Sequence, residues 1–113
     1  MSHYLRTNLP FLKLVASIKK SATRREILEA LSNDETFQKA LREIAKNTVR
    51  GAIKLSPSDI KKLKTHKGTI KSLSKKRLSA NRKKKLISQS GGFLPILIPI
   101  VASLIGELIR SKN

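Results

Sequence analysis

Twelve lysines and arginines crowd between positions 61 and 85, and they are the side chains of this sequence best suited to bind a charged ligand. They are Lys61, Lys62, Lys64, Lys67, Lys71, Lys75, Lys76, Arg77, Arg82, Lys83, Lys84 and Lys85. Such side chains bind nucleic-acid phosphates with release of condensed counterions, so the affinity depends on salt and not on base sequence. We therefore expect a nucleic-acid partner, bound through its phosphate backbone. The alternative is a solvated charged face without a ligand.

The composition of this cluster argues against base readout and against catalysis. Lysine outnumbers arginine in it, and lysine is a point charge poorly suited to bidentate contacts with base edges. No aromatic residue lies among the basic residues to stack on unpaired bases. The chain has no cysteine and only two histidines, His3 and His66, and no pair of residues suggests a nucleophile with its base. We therefore expect no enzyme, no metal site and no cofactor.

The charge pattern divides the chain into three segments. Of the 113 residues, 25 are basic and 7 are acidic, which gives a net charge of +18. Residues 46–88 hold 15 basic residues and 1 acidic residue, whereas residues 1–45 hold 8 and 5. So large a charge on one small domain opposes compaction unless a polyanion neutralises it. We expect a helical N-terminal region at 1–55, a basic DNA-binding helical segment at 56–90 and an apolar C-terminal tail at 91–113.

Apolar residues in the first two segments recur at helical spacing, and no stretch alternates with period two. The sequence therefore predicts an all-α fold, a small helical bundle with a lysine-rich basic segment and a C-terminal apolar helix. In the first helix, Asn8 is the expected N-cap ahead of Pro10. Phe11, Leu14, Val15 and Ile18 are expected to share its buried face.

Several other helix ends have recognisable signals. Thr23–Glu26 and Ser32–Glu35 have the spacing of capping boxes, and Gly51 suits the end of a helix. The segment Ser56–Asp59 is typical of a helix start with proline in the first turn. Ser79 is expected to begin the last basic helix. The apolar face predicted for the basic segment comprises Ile60, Leu63, Ile70 and Leu73.

The last part of the chain is apolar, and residues 93–109 contain one charged residue, Glu107. These 17 residues reach only the low end of the roughly 20 that cross a bilayer, and Pro99 would kink a helix. Three interpretations remain open: a membrane-active tail, a helix that docks into a partner's groove, and the last core helix of the bundle. The residues expected to contact a membrane or a partner are Phe93, Leu94, Ile96, Leu97, Ile98, Ile100, Val101, Leu104 and Ile105.

The junction between the basic and apolar segments carries the motif of a known family. The basic run ends at Lys85, two glycines follow at Gly91–Gly92, and Leu94–Pro95 precedes a second proline, Pro99. In this arrangement the sequence resembles the adenovirus core protein X family, the precursor of the small mu protein. Related proteins occur in adintoviruses and in the transposons called Polintons or Mavericks.

The resemblance implies a late protein of the virion core that condenses double-stranded DNA without sequence specificity. It also implies that a maturation protease of the cysteine class removes the apolar extension by one cut before Phe93, at a site formed by Gly91, Gly92 and Phe93. We expect this diglycine to lie exposed and unpaired between two helices. Gln89 stands where that protease takes an aliphatic residue. Other expected partners are capsid proteins or other core proteins.

Two alternatives and one location follow from the same residues. A membrane-active protein would use its basic residues to attract anionic lipid, and residues 93–109 to permeate the bilayer or anchor to it. A cellular helical module would instead bind RNA or the ribosome through the basic segment. The clusters Lys75–Arg77 and Arg82–Lys85 are spaced as in a nuclear import signal, which predicts the host nucleus as a location besides the virion core.

Overall fold

Helices make up the regular structure of this protein. The computed structural model describes residues 3–75 and 77–111, with side chains described up to Ser103. Within these ranges there is no strand, and seven α-helices follow one another: α1 His3–Ser17, α2 Ser21–Leu31, α3 Glu35–Val49, α4 Pro57–Leu63, α5 Lys67–Leu73, α6 Ala80–Gln89 and α7 Leu94–Ser111. Short 3-10 turns, Lys64–His66 and Ser90–Gly92, join α4 to α5 and lead from α6 towards α7. The predicted all-α bundle is confirmed.

Three of the predicted helix ends are found in the structure. The Ser56 hydroxyl accepts a hydrogen bond from the Asp59 N–H at 3.1 Å, and the Asp59 carboxylate accepts one from the Ser56 N–H at 3.3 Å. These two bonds form a capping box at the start of α4. The Ser79 hydroxyl accepts from the Arg82 N–H at 3.2 Å at the start of α6. Gly51 has a φ of 74° just past the end of α3, in the left-handed region that favours glycine.

The start of α1 differs from the prediction. The helix begins well before Asn8, which lies inside it, is buried, and donates from its amide to the Tyr4 carbonyl at 2.8 Å. Asn8 is therefore not an N-cap. Pro10 also lies inside α1, at an exposed position. The helix continues through Pro10 because Leu5 and Leu12, on either side of it, are fully buried, and tertiary packing outweighs local propensity.

The buried face of α1 also differs from the prediction. Phe11 and Leu14 are 48% and 51% exposed, and of the four predicted residues only Val15 is buried. Ile18 is half-buried just past the end of α1. The helix carries two neighbouring apolar stripes, one through Leu5, Leu12 and Val15 and the other through Phe11 and Leu14. Contact with α3 and α7 buries the first stripe and leaves the second in solvent.

The capping boxes predicted from Thr23 and Ser32 are not formed. No side chain caps the start of α2. Asp34 caps α3, because its carboxylate accepts from the Phe37 N–H at 3.0 Å and from the Thr36 hydroxyl at 2.6 Å. These bonds, first the one from Thr36, lower the pKa of Asp34 from its ordinary value. Ser32 instead lies just past the end of α2, where it is buried.

One hydrophobic core joins all three compositional segments. α1 lies against α3 and α7, α3 packs against α5, and α2 packs against α6. The largest fully buried side chains come from every part of the chain: Leu5, Leu12, Val15, Leu28, Phe37, Leu41, Ile44, Ile87, Phe93, Leu94, Leu97 and Ile98. Each such side chain contributes about 1.5–3 kcal/mol relative to an exposed one. Aliphatic residues supply most of this core because only 4% of the chain is aromatic.

The predicted apolar face of the basic segment is buried in part. Leu63, Ile70 and Leu73 are buried, whereas Ile60 is 56% exposed. The 3-10 turn Lys64–His66 interrupts the helical period between α4 and α5, so residues on the two sides of the turn do not share one continuous stripe.

The apolar tail forms part of the core. Five of the residues predicted to contact a membrane or a partner are at most 1% exposed: Phe93, Leu94, Leu97, Ile98 and Val101. Ile96 and Ile100 are partly buried against the same core, and the side chains of Leu104 and Ile105 lie outside the described residues. This packing matches the third interpretation of the tail, a core helix. These residues are interior because the stripes on the other helices are narrow, and an apolar helix is needed to close the core.

The structure also bears on whether the tail could span a bilayer. Among the described residues, no single helix is both long enough and apolar enough to cross a membrane. Ala80–Gly92 and Leu94–Ser103 meet the requirement together by length and composition, but they are bent by 80° relative to each other.

Candidate nucleic-acid interface

The basic residues predicted to bind DNA lie on α4, α5, α6 and the links between them. Ten of the twelve are exposed: Lys61, Lys62, Lys64, Lys67, Lys71, Lys75, Arg77, Arg82, Lys84 and Lys85. Lys83 is half-buried, and Lys76 lies outside the described residues. We refer to the ten exposed residues and Lys83 as the basic interface.

Narrow apolar stripes hold these helices in place and leave the other positions facing solvent. Leu63, Ile70 and Leu73 are buried from α4 and α5, and Leu86 and Ile87 are buried from α6. α5 packs against α3, and α6 packs against α2 and α5. Because each short helix commits only one or two residues per turn to packing, the remaining positions can carry lysine or arginine without disturbing the core.

The charges of the basic interface are not neutralised by ion pairs among the described residues. None of its side chains forms an ion pair in the described part of the chain, whereas Lys39 and Glu35 on α3 pair at 3.4 Å. The cationic groups therefore repel one another across a small surface. A polyanion bound along this surface relieves the repulsion and releases its own condensed counterions.

A cleft next to the basic interface adds residues that the charge pattern did not reveal. Its charged lining residues are Lys39, Arg42 and Glu35 from α3, Lys75 from the link after α5, and Lys83 from α6, and they stand beside Gln38 and three apolar residues. We refer to it as the α3–α6 cleft. Lys39 and Arg42 belong to residues 1–45, where 5 acidic residues partly balance the 8 basic ones. Their spacing of three residues places them on one side of α3, but only the tertiary fold brings that side to Lys75 and Lys83.

A second concave surface combines apolar side chains with lysines. It lies where the end of α3 meets α4 and α5, and it is lined by Thr48, Val49, Leu55, Ile60, Leu63, Lys64, Lys67, Ile70 and Lys71. Val49 and Ile60 are 52% and 56% exposed. Three lysines of the basic interface thus stand beside exposed apolar side chains.

The predicted cleavage segment is folded. Ser90–Gly92 forms a 3-10 turn, and the Phe93 N–H donates to the Ser90 carbonyl at 3.1 Å. Phe93 is 1% exposed, Gly91 is half-buried close to Leu28 of α2, and Gly92 is exposed. Of the exposed, unpaired diglycine that the sequence predicts, only the exposure of Gly92 is found. Gly91 is half-buried, and both glycines lie in a 3-10 turn. Burial of Phe93 by the core, and helical pairing of the turn, account for the difference.

The packing around His66 shows what the histidine does in this structure. Its ring lies beside the Phe93 ring, with centroids 6.3 Å apart, and it borders Gly92. Within the described residues, no group of three His, Cys, Asp or Glu side chains is placed to hold a metal ion. His66 thus packs the turn between α4 and α5 against the junction between α6 and α7.

Comparison with known proteins gives one match. The sequence model of the family described as adenovirus late L2 mu core protein (protein X) matches residues 6–108. The match runs from α1 into α7 and includes the whole basic interface, the α3–α6 cleft and the diglycine. No curated protein and no solved structure matches the chain.

Proposed function

Because the chain belongs to the adenovirus late L2 mu core protein (protein X) family, it is a viral core protein, and we propose that it binds and condenses double-stranded DNA without sequence specificity. The family is one of structural core proteins and not of known enzymes, and its place is the virion core. The observation that carries the proposal is the basic interface. It consists of ten exposed cations and half-buried Lys83 on three short helices and the links between them, and none is ion-paired within the described part of the chain.

The arrangement of these cations suits phosphate contacts better than base contacts. They lie on several short helices, and eight of the ten exposed ones are lysines, which bind phosphates as point charges. Neutralisation of phosphates lowers the repulsion between neighbouring duplexes and allows them to approach, which is the physical basis of condensation. We also propose that the basic clusters Lys75–Arg77 and Arg82–Lys85 serve import into the host nucleus.

A charge-removal variant tests DNA binding. Replacement of Lys61, Lys62, Lys84 and Lys85 with glutamine should lower the affinity for all duplex sequences alike. Each phosphate contact contributes about 0.9 to the slope of log K against log salt, so the loss of four contacts should reduce the slope by about 3.6. Fluorescence anisotropy titrations with two unrelated duplexes at several salt concentrations measure both quantities.

A matched control removes the same charge elsewhere. Lys13, Lys19, Lys20 and Arg25 are exposed on or between α1 and α2, away from the basic interface in sequence. Their replacement with glutamine should change the slope much less. Equal losses in the two variants would show that only the total charge matters, and a strong preference of the parent for one duplex would contradict binding without sequence specificity.

We further propose that a maturation protease cuts the chain between Gly92 and Phe93, as the family resemblance implies. Proteases bind their substrates as extended strands, so the 3-10 turn Ser90–Gly92 and buried Phe93 must open first. The product would lack α7 and the core residues that it carries, so the folded basic interface described above belongs to the uncut chain. Intact-mass analysis of protein from mature particles should find a chain ending at Gly92, and recovery of only the 113-residue chain would contradict cleavage.

The membrane alternative depends on the same part of the chain. Five apolar side chains of residues 93–101 are in the core, so insertion of this segment into a bilayer requires the bundle to open. We therefore expect flotation with anionic liposomes to be weak under conditions where the protein binds DNA. Strong flotation that persists at high salt would favour the membrane-active function, because apolar insertion is not screened by salt.

A further inference from the structure

The α3–α6 cleft has the composition of an anion site. Four cationic side chains from three parts of the chain line it, and Glu35 is its one acidic lining residue. Glu35 is engaged by Lys39 at 3.4 Å. The hydrogen bond between Glu35 and Lys39 is the main cause that raises the pKa of Lys39, and the contact of Lys39 with Tyr4 is the second. Arg42, Lys75 and Lys83 remain as cations that no carboxylate holds in the described part of the chain.

Arg42 is the residue that points to a ligand most directly. Its side chain is half-buried, and its Nε lies out of contact with solvent and has no hydrogen-bond partner among the described residues. A buried donor that makes no hydrogen bond destabilises the folded state, because it has lost its bonds to water without replacing them. A guanidinium can present Nε–H and an Nη–H side by side to two oxygens of one phosphate, which a small outward movement of Arg42 would allow.

We propose that the α3–α6 cleft binds one phosphate group of the DNA backbone, with Arg42 as the bidentate ligand and Lys75 and Lys83 as flanking cations. The inference rests on the proposed function and extends it, because it adds α3 to the interface. A phosphate held there joins α3, the link after α5 and α6. The duplex is thereby fixed to the folded bundle at one point, whereas the exposed lysines contact it only as mobile charges.

Substitution of Arg42 tests the proposal against a matched arginine. Arg42→Gln should weaken duplex binding by roughly tenfold to a hundredfold, the value of a hydrogen bond to a charged group. Arg42→Lys keeps the charge and the salt slope but loses the fork, so it should weaken binding by about tenfold. Arg25→Gln and Arg25→Lys, at an exposed position on α2, should change the affinity less than threefold, which is about 0.6 kcal/mol.

Other outcomes of this comparison overturn the proposal. If the parent binds DNA while the Arg42 variants match the Arg25 variants, the cleft is not part of the interface. If the parent binds no duplex at all, the proposed function fails instead, so the two failures are distinguishable. Helical circular dichroism and the thermal midpoint of each variant show that it is folded before its affinity is compared.

A gain of affinity provides a second test that a merely structural role of the cleft does not predict. Glu35→Gln frees Lys39 for the ligand and removes the one carboxylate, so duplex affinity should rise about two- to fivefold. An unchanged or lower affinity would count against the proposal. Inorganic phosphate distinguishes the source of the ligand. If it raises the thermal midpoint of the parent but not of Arg42→Gln, while both bind DNA equally, the cleft takes free anions and the DNA assignment is wrong.

Discussion

α6 and α7 are neighbours in sequence, yet they use their side chains in opposite ways. α6 carries Arg82 and three lysines and buries only Leu86 and Ile87, whereas most apolar side chains in the described part of α7 are buried. Between them the chain turns through the Ser90–Gly92 segment and bends by 80°. The apolar segment and the basic segment are therefore complementary parts of one fold. The basic helices can devote most of their positions to charge because α7 supplies apolar surface.

The apolar side chains of α7 supply a large part of the stability of the fold. Burial of Phe93, Leu94, Leu97, Ile98 and Val101 contributes about 1.5–3 kcal/mol for each side chain. Their sum is of the same order as the whole stability of a small domain, about 5–15 kcal/mol. The exposed lysines of α6 contribute little to folding and oppose it through their mutual repulsion.

The largest expected effect is that of removing α7. A chain ending at Gly92 should lose most of its helical circular dichroism and its cooperative thermal transition, because the core loses about the stability of the whole domain. If the tail were instead a separate extension, the truncated protein would stay folded and become more soluble. Far-ultraviolet circular dichroism with thermal melts measures the outcome, and a cooperative transition in the truncated chain would contradict the comparison.

Two point variants in α7 separate loss of packing from loss of length. Leu97→Asp places a charge at a fully buried position and should unfold the protein nearly as completely as the truncation does. Ser103→Asp adds the same charge to the same helix at an exposed position, and the protein should stay folded. Equal thermal midpoints for the two variants would show that α7 is not part of the core in solution.

The features that could be predicted from the sequence are local ones. The capping box at Ser56–Asp59, the cap at Ser79 and the turn at Gly51 depend on residues within one turn of each other, so their spacing is sufficient. The exposure of the basic residues also follows directly, since unpaired charges are rarely buried. The capping box predicted at Ser32–Glu35 is wrong because Asp34, directly before Glu35, caps α3, while Ser32 ends α2.

The features that could not be predicted depend on tertiary contacts. α1 has two apolar stripes, and only contact with α3 and α7 decides that Val15 is buried while Phe11 is exposed. The apolar tail has the same sequence pattern whether it enters a membrane, docks on a partner or packs in the core. The α3–α6 cleft joins Arg42 to Lys83, residues far apart in sequence, and a count of charges along the chain does not place them together.

A smaller effect on stability is expected from substitution of Gly92, where the chain passes from the mostly exposed α6 to α7, which packs in the core. A Cβ added there would meet Cε1 of His66 at 2.6 Å, closer than real Cβ atoms approach. The His66 ring has limited freedom to move because it is half-buried and lies beside the Phe93 ring. Gly92→Ala should therefore destabilise the protein by about 1–3 kcal/mol, the usual cost of overpacking. Urea denaturation measures the change.

Gly68→Ala is the matched control for this prediction, and its effect should have the opposite sign. A Cβ at Gly68 meets nothing within 4 Å, and the residue lies in α5, where alanine is favoured over glycine by about 1 kcal/mol. If the clash with His66 is the cause, His66→Ala should remove most of the cost of Gly92→Ala in the double variant. A neutral Gly92→Ala variant would show that no close packing requires the second glycine. Access for a protease would then be the better reason for a diglycine at the point where the basic and apolar helices meet.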